Sequence, residues 1–171
     1  AKKLADQMAL KAGMLVVGDP ASPQTEVGPL INHSECQRVS DWVDEAVKKG
    51  GKLLCGGKKI SDSCYAPTVL WNPPEDVKVS TEEVFGPVVC VYSFKKPEEA
   101  VERANSLPVC FQAAVFTKNI DQAFYYVRNL QATAVMVNDH TAFRVDWMPF
   151  GGRMNSGLGM GGIPQSMTDM T

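Results

Sequence analysis

The feature that most limits how this chain can fold is an alternation in its second half. Val88-Val89-Cys90-Val91-Tyr92 is a continuous β-branched apolar run, the pattern of a strand covered on both faces. Pro97 stands at a first-turn position and opens a helix that presents Ala100, Val101 and Ala104. Residues 112–117 read as a second strand. Asn119 then caps a helix with Ile120, Ala123, Phe124 and Val127 on one face, and residues 134–137 read as a third apolar strand. Strand, helix, strand, helix, strand predicts an α/β fold in which a parallel, Rossmann-like sheet is flanked by helices.

The first half adds further elements. Residues 1–12 have helical spacing, with Leu4, Ala5, Met8 and Ala12 on one face and Gly13 as the stop. A second helix is expected over residues 34–49, where Val39, Trp42, Val43, Ala46 and Val47 recur at three and four and Gly50-Gly51 follows. Residues 52–55 read as a short strand. Residues 138–171 carry many glycines, prolines and aromatics without periodicity, and are expected to form an irregular, Gly-rich active-site segment at the strands' C-terminal edge. A length of 171 residues can bury one core, so residues 1–171 are read as one domain or one large portion of one.

Charge and composition exclude several classes of partner. A net charge of -2 with scattered lysines and arginines leaves no footprint for nucleic acid. No apolar run approaches membrane-spanning length, so no membrane role is expected. The five cysteines lack a Cys-x-x-Cys pair, and only His33 and His140 could join them, which argues against a metal site. Cysteines within apolar runs fit a reducing compartment, read as the cytoplasm with the mitochondrial matrix as the other possibility.

Two stretches invite a chemical reading. Gly157-Leu158-Gly159-Met160-Gly161-Gly162 formally satisfies the dinucleotide fingerprint G-x-G-x-x-G. That fingerprint needs a strand before it and a helix after it to cradle a pyrophosphate, so a structural turn is the better reading here. Glu82-Glu83-Val84-Phe85-Gly86-Pro87 instead sets carboxylates and a ring on a turn directly before a buried strand. A carboxylate there can accept hydrogen bonds from sugar hydroxyls and a flat ring can pack on a heterocycle. The alternative is a surface or capping carboxylate beside a core phenylalanine.

Further blocks accompany that turn: Asp19-Pro20, Val27-Gly28-Pro29-Leu30-Ile31, Tyr65-Ala66-Pro67-Thr68-Val69-Leu70, Gln112-Ala113-Ala114-Val115-Phe116-Thr117, Val137-Asn138, and Pro149-Phe150-Gly151-Gly152 with Ser156-Gly157-Leu158-Gly159. In this order and spacing, the chain resembles the C-terminal part of an aldehyde dehydrogenase catalytic domain. It looks most like the branches acting on lactaldehyde, phosphonoacetaldehyde or glyceraldehyde-3-phosphate. The resemblance implies that Glu83 binds the ribose next to the nicotinamide of NAD or NADP, and that Phe85 contacts the nicotinamide ring. It implies that Phe150 lines the aldehyde tunnel, that Asn138 is structural and that Glu82 is scaffold. The nucleophilic cysteine and the general-base glutamate would lie outside the chain, which Cys90 and Cys110 are not expected to replace. The parent would be a homodimer or homotetramer, and the chain would stop before the strand that completes a dimer's sheet.

Arg144 bears on the substrate. At a position that often lines the tunnel in this family, its guanidinium would offer a fixed fork of donors to the anionic end of a short aldehyde. The bland reading is an ion pair with Asp139 or Asp146. A second functional reading of the whole chain is a non-catalytic binding or assembly domain of the same descent.

Overall fold

Two small residues decide how the N-terminal helix packs. In a computed structural model that describes all residues, Ala1–Thr171, helix α1 (Lys2–Met14) buries Ala5 and Ala9 and lies against the sheet beside it. The helix runs through Gly13, its expected stop, and ends one residue later at Met14. Helix α2 (His33–Lys48) starts where the Asn32 side chain accepts a hydrogen bond from the Glu35 N–H at 2.9 Å. Gly50, at φ 108°, turns the chain out of it. Its inward face is Cys36, Val39, Val43 and Ala46.

These helices belong to the first of two compact units, Ala1–Ser93 and Phe94–Thr171. Strands β1 (Lys52–Cys55) and β2 (Thr68–Trp71), the short helix α3 (Lys78–Thr81) and strand β3 (Val88–Val91) complete it. The sheet order is β1-β2-β3, with β1 antiparallel to β2 and β3 parallel to it. Thr68 stands opposite Val88, and Trp71 opposite Val91. The core joins Cys36, Val39, Val43 and Ala46 of α2 to Tyr65, Leu70, Val77 and Val79, with Val84, Val88 and Cys90 packed against it.

This arrangement redraws one expectation. Val88–Val91 finds its parallel partner in Thr68–Trp71, a strand absent from the sequence reading, and not in the strand of residues 112–115. The physical reason is that β2 offers a complete edge: the Thr68 N–H donates to Pro87 O at 2.8 Å and the Asn72 N–H to Val91 O at 2.8 Å, so the ladder extends past both ends.

The second unit contains α4 (Pro97–Ala104), β4 (Val109–Cys110), β5 (Gln112–Val115), α5 (Ile120–Asn129), β6 (Ala134–Val137), β7 (Arg153–Met154) and α6 (Ile163–Met170). Asn119 caps α5 as expected, its side chain accepting from the N–H groups of Asp121 and Gln122. Strands β5 and β6 run parallel, from Gln112 opposite Ala134 to Val115 opposite Val137. The α/β class therefore holds, with parallel pairs flanked by helices in small separate sheets. Of the expected apolar face of α5, Ala123 is buried while Ile120, Phe124 and Val127 stay exposed.

Residues 138–171 are less irregular than their composition suggested. β7 pairs antiparallel with β4, and α6 opens with Pro164 in its first turn, where the missing N–H costs nothing.

Candidate functional site

In the first unit, the turn of residues 82–87 is fixed from inside and bare outside. Val84 packs on the core and its carbonyl accepts a hydrogen bond from Arg38 Nη2 at 2.7 Å. Gly86 presses on α2 so closely that a Cβ there would lie 2.9 Å from Val39 Cγ2. Between these anchors Phe85 is forced to φ 46°, a left-handed conformation that costs a bulky residue about 1–2 kcal/mol. Phe85 is 74% exposed, so the core-phenylalanine alternative is excluded. Glu83 is also exposed, with its carboxylate unengaged by the rest of the chain. A strained, outward aromatic beside a free carboxylate has the chemistry to meet a flat ring and a hydroxylated sugar.

In the second unit the structure brings Arg144 and Phe150 together. The Arg144 guanidinium carbon lies 4.2 Å from the Phe150 ring centroid, and Nη1 reaches Met148 O at 3.4 Å. No ion pair forms with Asp139 or Asp146, so the bland reading of Arg144 has no support in the geometry. Phe111, which the sequence reading did not single out, meets the Phe150 ring edge-on at 5.0 Å and 89°.

The backbone around Phe150 is held tightly. Phe150 and Gly161 exchange hydrogen bonds of 2.9 and 2.6 Å, and Thr133 Oγ1 donates to Gly151 O at 2.6 Å. The two glycines after Phe150 are needed for close approach: a Cβ on Gly151 would lie 2.7 Å from Gly159 O, and one on Gly152 would lie 2.5 Å from Ser156 O. The Gly-rich stretch of residues 157–162 thus packs its backbone against the Phe150 turn, as a structural turn should. Asn138, at φ 58°, bonds the backbone of Thr117 with its carboxamide and extends the β5–β6 ladder.

Two cysteines of the first unit are held as neutral thiols. Burial pushes the Cys90 thiol up to about 11, and its Sγ points to Val79 O at 3.6 Å. Burial also raises the Cys36 thiol. In the second unit Cys110 stands on β4 opposite Arg153 of β7.

Arg38, the support of the Phe85 turn, is little visible in sequence. Its only local signal is spacing: Glu35, Arg38 and Trp42 share one helix face at three and four residues.

Comparison with known proteins decides the descent. The model of the aldehyde dehydrogenase family matches residues 1–171. The chain belongs to the aldehyde dehydrogenase family. It is 39% identical over 161 residues to a 3-sulfolactaldehyde dehydrogenase of Priestia aryabhattai, covering 94% of this chain and 34% of that protein. It is 36% identical over 171 residues to a lactaldehyde dehydrogenase of Methanocaldococcus jannaschii, covering 100% of this chain and 36% of that protein. Among solved structures, aldehyde dehydrogenase 21 of Physcomitrella patens, in complex with the reaction product succinate, superposes with a TM-score of 0.94 at 36% identity, over 99% of this chain and 35% of that one. The glyceraldehyde-3-phosphate dehydrogenase GapN of M. jannaschii, complexed with NADP, gives 0.93 at 36% identity, over 99% of this chain and 37% of that one. The chain thus spans about a third of the length of these family members.

Proposed function

We propose that this chain supplies cofactor and substrate contacts to an NAD(P)-dependent aldehyde dehydrogenase that oxidises a short, anionic aldehyde to the carboxylic acid. The observation that carries the cofactor half is Phe85, held outward in a strained conformation beside the free Glu83 carboxylate. Glu83 accepts hydrogen bonds from the ribose hydroxyls, and Phe85 orients the nicotinamide and keeps water from one side of it. NAD(P), when bound, takes up the hydride released from the aldehyde carbon. Arg144 donates to the anionic end of the aldehyde, and Phe150 presents an apolar wall while holding the guanidinium in place. The aldehyde carbonyl is attacked by a cysteine thiolate outside this chain, giving a thiohemiacetal, and loss of hydride from that carbon leaves a thioester that a glutamate-activated water hydrolyses.

Similarity to proteins named for 3-sulfolactaldehyde, lactaldehyde and aspartate semialdehyde supports a short polar substrate. A homodimer or homotetramer is part of the same proposal: Ile120, Phe124 and Val127 leave one face of α5 apolar and exposed.

The test is absorbance of reduced nicotinamide nucleotide formed by the full-length protein from lactaldehyde, 3-sulfolactaldehyde and succinate semialdehyde. Turnover with at least one of them is expected, and none from the isolated 171-residue chain. Absence of reduced nucleotide with every short aldehyde and either cofactor would refute the assignment.

A further inference from the structure

We propose that Arg38 is a positioning residue for the nicotinamide contact: it holds the Val84 carbonyl so that Phe85 stays in its left-handed conformation with the ring outward. The inference rests on the reading of Phe85 as a cofactor contact.

The peptide joining Val84 to Phe85 is planar. Its carbonyl and its N–H rotate together, so fixing the Val84 oxygen fixes the plane that sets φ at Phe85. That φ is 46°, and a phenylalanine left to itself would relax toward negative values. Something must hold the plane.

Arg38 is built for that task. Its Nη2 donates to Val84 O at 2.7 Å across 46 residues of sequence, while Nε donates to Glu35 Oε2 at 2.7 Å. Its guanidinium carbon lies 4.3 Å from the Trp42 ring centroid, so the fork is stacked as well as bonded. Glu35 is itself in the first turn of α2, near the helix's positive end, and offsets the arginine's charge. With its side chain 24% exposed, Arg38 makes its bond to Val84 where water competes poorly.

The other anchors act on neighbouring atoms. Val84 is held by its side chain in the core, Gly86 by its contact with Val39, and Pro87 by the bond its carbonyl accepts from the Thr68 N–H. None of them grips the Val84–Phe85 peptide plane. A lysine at position 38 could donate one bond but could not stack and bond twice in one plane.

A double-mutant cycle on the full-length protein tests this, with NADH dissociation constants from fluorescence titration as the readout. Arg38→Met keeps an apolar stem over Trp42 and removes the donors, and should weaken NADH binding roughly tenfold. Phe85→Gly should weaken it by a similar factor. In the Phe85→Gly background, where no strained side chain remains to be held, Arg38→Met should add less than about twofold. Arg38→Lys should fall between wild type and Arg38→Met.

The outcomes separate the two ideas. Unchanged NADH affinity in Phe85→Gly removes the cofactor reading on which the proposal stands. Weakened binding in Phe85→Gly together with no effect of Arg38→Met, or with full additivity, overturns the positioning role alone. If Arg38→Met loses its near-ultraviolet circular dichroism, Arg38→Lys completes the same cycle.

Discussion

The Asn138 carboxamide engages both backbone polar groups of Thr117: Oδ1 accepts from the Thr117 N–H at 2.9 Å and Nδ2 donates to the Thr117 C=O at 3.0 Å. With the Asn138 N–H donating to Val115 O at 2.8 Å, the side chain continues the β5–β6 ladder by one step after the backbone has turned away at φ 58°. Asparagine suits the position twice, since its amide mimics a peptide and it tolerates the left-handed region.

It follows that Asn138→Ala should destabilise the chain by about 1–3 kcal/mol, combining two lost hydrogen bonds with a strained backbone. Asn138→Gly should cost less, because it relieves the strain and loses only the bonds. Urea unfolding of the two variants checks the order, and equal stabilities would mean that the backbone conformation contributes nothing.

Arg144 and Phe150 form one device, a cation held over a ring 4.2 Å away. In the full-length protein, Arg144→Leu should lower kcat/KM for a sulfonated or carboxylated aldehyde by at least roughly tenfold and leave a neutral aldehyde within about threefold. Phe150→Leu should produce a weaker version of the same shift by freeing the guanidinium. Parallel losses on anionic and neutral aldehydes would show that Arg144 does not read charge.

Gly86 has no space for a methyl group, since its Cβ would sit 2.9 Å from Val39 Cγ2. Gly86→Ala should cost about 1–3 kcal/mol and should weaken NADH binding by moving Phe85. Adding Val39→Ala opens the space and should restore affinity even though the core loses methyl groups. Melting temperature and NADH titration together follow the two effects separately.

Alkaline pH should destabilise the chain by way of two acids, the buried Tyr65 and the part-buried Cys90. Burial raises the Cys90 thiol from its ordinary 9.0 to about 11, and the Tyr65 hydroxyl from 10.0 to about 12. Both remain protonated in the folded state after the unfolded chain has ionised. Their contribution is therefore full below pH 9 and is lost as pH rises through the range from about 9 to 12. Cys90→Ala should flatten the first part of that decline in urea unfolding followed against pH, and an unchanged slope would contradict the assignment.

Where a segment's own period coincided with its burial, the sequence was readable. Helix α2 and strands β3, β5 and β6 sit within a residue or two of their expected places, because apolar spacing, Asn119 and Gly50 report local forces. Strand β2 was missed although it is the most buried, since Pro67 before it and Asn72-Pro73-Pro74 after it read as punctuation around a motif. Helix α6 carried a signal, with Ile163, Met167 and Met170 recurring at four and three behind a first-turn proline, but it is short and directly follows a Gly-rich stretch that reads as irregular. Glu83, Phe85, Arg144 and Phe150 could be named from motifs, but their supports could not. Arg38 meets Val84 across 46 residues and Phe111 meets Phe150 at a comparable separation, distances over which no local pattern reports.

The conformation of Phe85 also bears on how such a chain changes over generations. Its ring contributes nothing to the core and its backbone is under strain, so Phe85→Gly should melt higher than the parent. Selection for folding alone would erode the aromatic within this turn, and only selection for what the ring touches would retain it. The turn length, by contrast, is locked by the register that sets Thr68 opposite Val88. Descendants can exchange the chemistry presented by positions 83 and 85 while the scaffold beneath them stays as it is.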